Sequence, residues 1–164
     1  MNWVEYFRNL AHNVKLKSKD ERTQVGAVIV GKGKEIVSTG YNSFPRGIKD
    51  NRKERQERPE KYFWFEHAER NAIYNAARIG VSTKGCTMYL TCGIPCADCS
   101  RGIINAGISR IFCERRLGPS SDIWSEHAER SWEMLEEAGV DVQFYDGVSI
   151  ISVSYTHLTL PTSG

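Results

Sequence analysis

Apolar residues recur at helical spacing from the start of the chain. Trp3, Phe7, Leu10 and Val14 lie three or four positions apart, which predicts an amphipathic helix over 2–17 that stops near Ser18-Lys19-Asp20. The period then changes. Val25-Gly26-Ala27-Val28-Ile29-Val30 is an unbroken apolar run of strand length, and after the turn residues Gly31-Lys32-Gly33 the segment 35–40 is its predicted hairpin partner. Helical spacing returns over 66–79 with Ala68, Ala72, Ile73, Ala76 and Ala77, and Gly80 supplies a C-terminal stop. From there the chain alternates: strand 86–91, helix 95–106, strand 110–114, helix 125–138, strand 140–145. Such alternation predicts parallel strands joined by right-handed helical crossovers. With the hairpin added, the expected fold class is α/β: a three-layer α/β/α sandwich around a mixed five-stranded sheet.

Two segments stand outside this pattern. Residues 42–62 hold seven Lys or Arg and four acids together with Pro45, Gly47 and Pro59, and are predicted as a long polar loop outside the core. Residues 154–164 are polar, follow neither period and look like translated vector sequence, so a single domain over 1–150 is expected. A chain of 164 residues is long enough for one core without staples. Its 40% hydrophobic and 26% charged residues exclude a disordered or fibrous protein.

No apolar run approaches the roughly 18 residues of a membrane span, and the first residues lack a signal-peptide pattern, so a cytoplasmic location is expected. The net charge of +2 is too small to point to a polynucleotide partner and favours a small substrate. Five cysteines, an odd count with no secretory signal, favour a metal site over a disulfide framework.

The cysteines carry the candidate chemistry. Cys96 and Cys99 follow Pro95, which suits a first helical position, so both sulfurs are expected on one face of the helix start. The positive end of that helix favours thiolates. Taken alone, the pair also fits two packed thiols in a core helix. His67-Ala68-Glu69 opens the preceding helix 29 residues upstream, and consecutive crossover helices place their N-termini side by side at the carboxyl ends of the strands. His67 can then join the two thiolates. Residues two apart diverge by about 200° on an ideal helix, so Glu69 faces the same point only if the helix begins at His67 or its first turn is irregular. Three protein ligands leave a zinc ion one open position, as catalysis requires, and Glu69 is the group placed to move protons.

The order H-x-E followed by P-C-x-x-C is the signature of the zinc deaminases. Over roughly 1–145 the chain resembles the cytidine and deoxycytidylate deaminase family, and within it the deoxycytidylate (dCMP) deaminases. The resemblance runs through Ser18-Lys19-Asp20, the stretch from Thr23 to Val30, Gly40-Tyr41-Asn42-Ser43-Phe44-Pro45-Arg46-Gly47, His67-Ala68-Glu69 with Asn71-Ala72-Ile73, the stretch from Lys84 to Tyr89, and Ala106-Gly107-Ile108. It implies a zinc-dependent hydrolysis of dCMP to dUMP and ammonia. It also implies that Asn42 contacts the sugar, that the backbone at Ala68 contacts the pyrimidine, and that the loop carrying Ile94 lines the base pocket. Arg22 and Arg46 are candidate phosphate contacts, with a solvated surface charge as the competing reading. The resemblance further implies a homo-oligomer, often a hexamer, and, as in many members, activation by dCTP and inhibition by dTTP with magnesium.

There are two departures. Ser43 stands where glycine is common, in a loop associated with the regulatory nucleotide. The segment Thr91-Cys92-Gly93-Ile94-Pro95-Cys96 is one residue longer than usual, which brings in a C5-substituted base such as 5-methyl-dCMP as a competing substrate. Two further functions fit the metal motif: a polynucleotide deaminase acting on tRNA adenosine or single-stranded cytosine, and a noncatalytic zinc module.

Several features lie apart from the motif. Glu126-His127-Ala128-Glu129-Arg130 echoes the residues from Glu66 to Arg70, but no later cysteine completes a site, so a surface-facing helix is expected there. Cys86 and Cys113 are expected to be packing residues, and Cys92 a spare thiol near the ligands. Tyr62-Phe63-Trp64-Phe65 is expected to pack in preference to stacking a base. His12 and His157 have no evident partners.

Overall fold

A computed structural model describes residues 1–115 and 122–147. The first helix, α1 (Trp3–Val14), is started by Asn2, whose Oδ1 accepts the Glu5 N–H at 2.9 Å, and it tightens into a 3-10 turn over Lys15–Lys17. Strands β1 (Gly26–Val30) and β2 (Ile36–Tyr41) pair antiparallel, with a register shift between Ile29 and Val30. After a short helix α2 (Lys61–Trp64) come α3 (Ala68–Ile79), β3 (Thr87–Leu90), α4 (Ala97–Asn105), β4 (Arg110–Cys113), α5 (Asp122–Glu137) and β5 (Asp141–Phe144).

The sheet order is β2-β1-β3-β4-β5: β3 runs antiparallel to β1, while β3, β4 and β5 are mutually parallel. The mixed five-stranded sheet is therefore as expected. Since β2 and β3 both oppose β1, the connection through α3 is itself a parallel crossover that spans one strand. Three crossovers of one hand, advancing in one direction, must lie on one face. The core agrees, because Ala68 and Ala72 of α3, Ile103 of α4 and Leu135 of α5 share one buried cluster with Ala27, Ile29, Met88, Leu90, Ile111 and Val142. Helix α1 lies on the other face, where Phe7 and Ala11 meet Val28, Val30 and Tyr89. The alternation along β1 thus feeds both cores, and the outer layers are unequal.

Two glycines let the helices approach the hairpin. A Cβ on Gly26 would stand 2.1 Å from the Ala11 carbonyl oxygen of α1. One on Gly40 would stand 2.3 Å from the Ala72 nitrogen and 2.5 Å from the Ala68 oxygen of α3. No flexible side chain can yield there, because the obstructing atoms are backbone.

Three expectations need correction. The segment 42–62 is not a featureless polar loop: it holds a 3-10 turn over Lys53–Arg55 and enters α2, and Asn42 and Lys61 are buried. Pro95 does not occupy the first helical position, since α4 starts at Ala97 with Cys96 as its N-cap. The aromatic run beside α2 is only partly packed: Tyr62 and Phe63 are 58% and 81% exposed, while Phe65 packs against Phe44 with ring centroids 4.3 Å apart. The tail over 154–164 and His157 lie outside the described residues. Among the described residues no helix is long and apolar enough to cross a membrane.

Gly40→Ala is expected to lower stability by about 1–3 kcal/mol, the usual cost of forcing atoms into a packed contact. Urea unfolding measures this as a lower midpoint at unchanged slope.

Candidate metal and catalytic site

Helices α3 and α4 begin side by side, and each begins on a residue with metal-binding chemistry. His67 is the N-cap of α3 (φ −78°, ψ 152°) and Cys96 the N-cap of α4 (φ −63°, ψ 168°). An N-cap residue is still extended, so its side chain projects across the first turn instead of following the helical spiral. This removes the 200° conflict between His67 and Glu69, because His67 lies outside the helix. Cys99 occupies the third position of α4 and returns to the same point.

The His67 Nδ1 atom stands 3.5 Å from Cys96 Sγ and 3.3 Å from Cys99 Sγ, and the three donor atoms lie within 4.8 Å of one another. A tetrahedral ion with Zn–S of 2.3 Å and Zn–N of 2.0–2.1 Å would hold nitrogen and sulfur about 3.6 Å apart. Both the spacing and the donor set, one imidazole and two sulfurs, fit zinc. Among the described residues this is the one group of three such side chains, and a magnesium site has no support. No disulfide joins any of the five cysteines.

The electrostatics suit a cation. The hydrogen bond from Cys99 pulls the Cys96 thiol down to about 4, with His67 assisting. Donating that bond, together with burial, pushes Cys99 up. The bond with Cys96 raises the His67 imidazole against the effect of burial. A metal ion binds such sulfurs as thiolates and would displace any thiol proton. Glu69 is 4% exposed, and burial raises its carboxyl above the ordinary carboxylate value while His67 pulls the other way. Burial opposes the charge on Arg70, but Cys99, Glu66 and Cys96 outweigh it. Its guanidinium reaches Glu66 at 2.7 Å and Asp98 at 3.8 Å, across the starts of both helices.

The segment leading to His67 is tied down at both ends. Ser43 and Glu66 exchange backbone bonds of 3.1 and 2.8 Å, and Asn71 Nδ2 donates to the Tyr41 carbonyl at 2.8 Å. Asn42 is buried with its carboxamide engaged: Oδ1 accepts the Val25 N–H, and Nδ2 donates to the Thr23 carbonyl and to Asp20. Asp20 in turn accepts Lys61 Nζ at 2.7 Å, a pair with side chains only 11% and 6% exposed. Burial works against the Asp20 carboxylate, yet Lys61 and the amides of Arg22 and Thr23 together hold it below its ordinary value. Sequence reasoning missed Lys61 because one cation among seven in a polar segment carries no sign of burial.

The remaining candidates fall at different distances from this cluster. Ala68 is buried as the first residue of α3. Ile94 packs part-buried against the larger core cluster. Arg22 is exposed, just beyond Asp20. Arg46 hydrogen-bonds Asn75 at 2.8 Å and lines a groove of about 640 Å³ with Lys17, Lys19 and Arg78; His67, Glu69, Cys96 and Cys99 are not among its lining residues. Cys86 and Cys113 are buried as expected, and burial pushes the Cys113 thiol up. His12 comes within 4.0 Å of Glu114. The second Glu-His-Ala-Glu-Arg run does not simply face outward, because His127 Nδ1 accepts the Ala97 N–H at 3.2 Å.

Known proteins resemble this chain. Residues 1–115 match the cytidine and deoxycytidylate deaminase zinc-binding region. The chain is 39% identical over 140 residues to an uncharacterized deaminase of Aliivibrio fischeri, covering 85% of this chain and 91% of that protein. It is 39% identical over 117 residues to the human deoxycytidylate deaminase, covering 68% of this chain and 64% of that protein, so it spans under two thirds of the human relative. The dCMP deaminase of cyanophage S-TIM5, solved with dCMP and dUMP, superposes with a TM-score of 0.68 at 25% identity, over 85% of this chain and 94% of that one. The chain belongs to the cytidine and deoxycytidylate deaminase family.

Lys61→Met is expected to cost about 3 kcal/mol, because it leaves Asp20 as an uncompensated buried charge. A carboxylate with a lowered folded pKa contributes stability above its unfolded value and loses it as pH falls through the folded one. Removing Lys61 should therefore move acid unfolding to higher pH, which circular dichroism across a pH series measures.

Proposed function

We propose that the chain catalyses the hydrolytic deamination of a cytosine deoxynucleotide, dCMP to dUMP and ammonia, with His67, Cys96 and Cys99 as zinc ligands and Glu69 as the proton carrier. The observation that supports this most directly is a nitrogen and two sulfurs converging at tetrahedral spacing, with a buried carboxyl two residues from the histidine. Zinc on these ligands supplies the Lewis acidity that makes water nucleophilic near neutral pH.

The protein's own part is acid–base work and placement. Glu69, raised by burial, takes a proton from the attacking water and returns it to the amino nitrogen leaving C4. The C4–O bond forms by addition across the C4=N3 double bond and the exocyclic C4–N bond then breaks, so that one water proton leaves with ammonia and the other remains on N3 of dUMP. The two N-caps fix the direction from which water approaches. Asn42, held by three hydrogen bonds, is the proposed sugar contact through the remaining lone pair of Oδ1. The Ala68 backbone is the proposed contact to the pyrimidine, Ile94 a wall of the base pocket, and exposed Arg22 and Arg46 the phosphate contacts. The proposal extends, on the family resemblance, to a cytoplasmic homo-oligomer, a hexamer in its fullest form, and to regulation by dCTP and dTTP.

The lengthened segment Thr91–Cys96 supports a second proposed substrate, with Ile94, part-buried against the core, as the proposed neighbour of C5 of the base. In that case 5-methyl-dCMP is accepted as well.

Purified protein is offered dCMP, CMP, deoxycytidine, 5-methyl-dCMP, a tRNA and single-stranded DNA while ammonia release is followed. Turnover should be fastest with a deoxynucleoside monophosphate, and a preference for tRNA or DNA would overturn the substrate class. Glu69→Ala should retain zinc and lose at least about 10²–10⁴-fold in rate, the range for general acid–base catalysis. An unaffected rate refutes the mechanism, and rejection of every C5-substituted nucleotide refutes the second substrate.

A further inference from the structure

The second Glu-His-Ala-Glu-Arg run lies on α5, outside the cluster, yet His127 reaches the helix that carries two of the cluster's three members. Its Nδ1 accepts the N–H of Ala97, the first residue of α4 and the one that follows Cys96. We propose that His127 is a positioning residue for the metal cluster: it clamps the Cys96–Ala97 peptide and thereby aims the Cys96 sulfur. This role rests on zinc being held by His67, Cys96 and Cys99.

The opening amides of a helix have no partners within it. In α4 the Cys99 N–H turns back to Cys96 Sγ at 3.4 Å and the Ser100 N–H to the Cys96 carbonyl at 2.9 Å. Both of those bonds are internal to the turn and move with it. The Ala97 bond alone of the three comes from another element, so it sets the turn against the rest of the protein. Ala97 is 8% exposed, so its amide has little access to water. The peptide it belongs to defines ψ of Cys96, 168°, and in this setting the Cys96 sulfur stands 3.5 Å from His67 Nδ1.

The α5 helix is anchored for this task. Leu135, two turns further along, is fully buried in the cluster that also holds Ile103 of α4. Accepting at Nδ1 also fixes the imidazole as the tautomer protonated at Nε2. Partners that orient metal ligands typically contribute about 10–100-fold in metal affinity. Here the partner orients the ligand through its backbone.

The test compares the zinc-loaded protein with His127→Ala, His127→Asn and His127→Gln. Asparagine can place an oxygen where Nδ1 stood, whereas glutamine extends to the Nε2 position. Zinc affinity is read by competition with a chromophoric chelator, and site geometry by the visible spectrum of the cobalt(II)-substituted proteins. His127→Ala should weaken zinc binding by about tenfold or more, in line with other partners of metal ligands, and alter the cobalt spectrum. His127→Asn should restore both, and His127→Gln neither. Should the alanine variant fail to fold, the asparagine and glutamine pair still decides. Unchanged zinc affinity in His127→Ala, or equal behaviour of the asparagine and glutamine variants, overturns this inference and leaves the zinc site intact. Absence of zinc binding in the unaltered protein overturns both.

Discussion

The site depends on two helices starting at one point. Because β2 and β3 run parallel with β1 between them, α3 and α4 lie on the same face and open at the same edge of the sheet. Each helix begins on the residue that carries the donor atom. The N-cap is the last extended position before the backbone turns, and a side chain there reaches over the first turn. Three donors from two segments thus converge without any distortion inside a helix. Gly40, which admits α3 close to the sheet, belongs to the same arrangement as His67.

The helix starts also explain how so much negative character is stored in a buried place. Each N-terminus presents unpaired amides and the positive end of its dipole. Cys96 uses both, its sulfur accepting the Cys99 N–H, and its thiol is held low. Arg70 adds a full charge between the two helices. At Glu69 burial outweighs the opposing pull of His67, its own backbone N–H and Cys99, and the carboxyl rises. Neighbouring groups in one pocket are therefore pushed in opposite directions, as acid–base chemistry requires.

The periodic parts of the chain were legible, and the reasons are local. The 3.6 spacing around Ala68 and Ala72 and the unbroken run from Val25 to Val30 report on the faces those residues bury, so all five strands and the long helices were found within a few residues. The cluster was legible because His67, Cys96 and Cys99 have donor chemistry at telling intervals. Contacts with no such interval escaped. Lys61 looks like its six neighbouring cations until Asp20 and Asn42, some 20 to 40 positions earlier, are brought to it. The cap on Ala97 is a backbone amide meeting a side chain 30 positions later, and amides leave no trace in the amino-acid alphabet. The start of α4 was misplaced because proline suits N1 but does not require it.

The buried Lys61 has a consequence for behaviour in salt. Mobile ions screen exposed charges over about 8 Å at physiological ionic strength, but they do not enter a protected pair. The polar segment before His67 carries one attachment of each kind. Lys19 and Asp50 meet at 2.8 Å on the surface, whereas Lys61 and Asp20 meet inside. Rising ionic strength weakens the first and leaves the second in place. The outer reach of the segment and its foot beside Asn42 therefore answer differently to their medium, the first loosening as salt rises while the second keeps its shape.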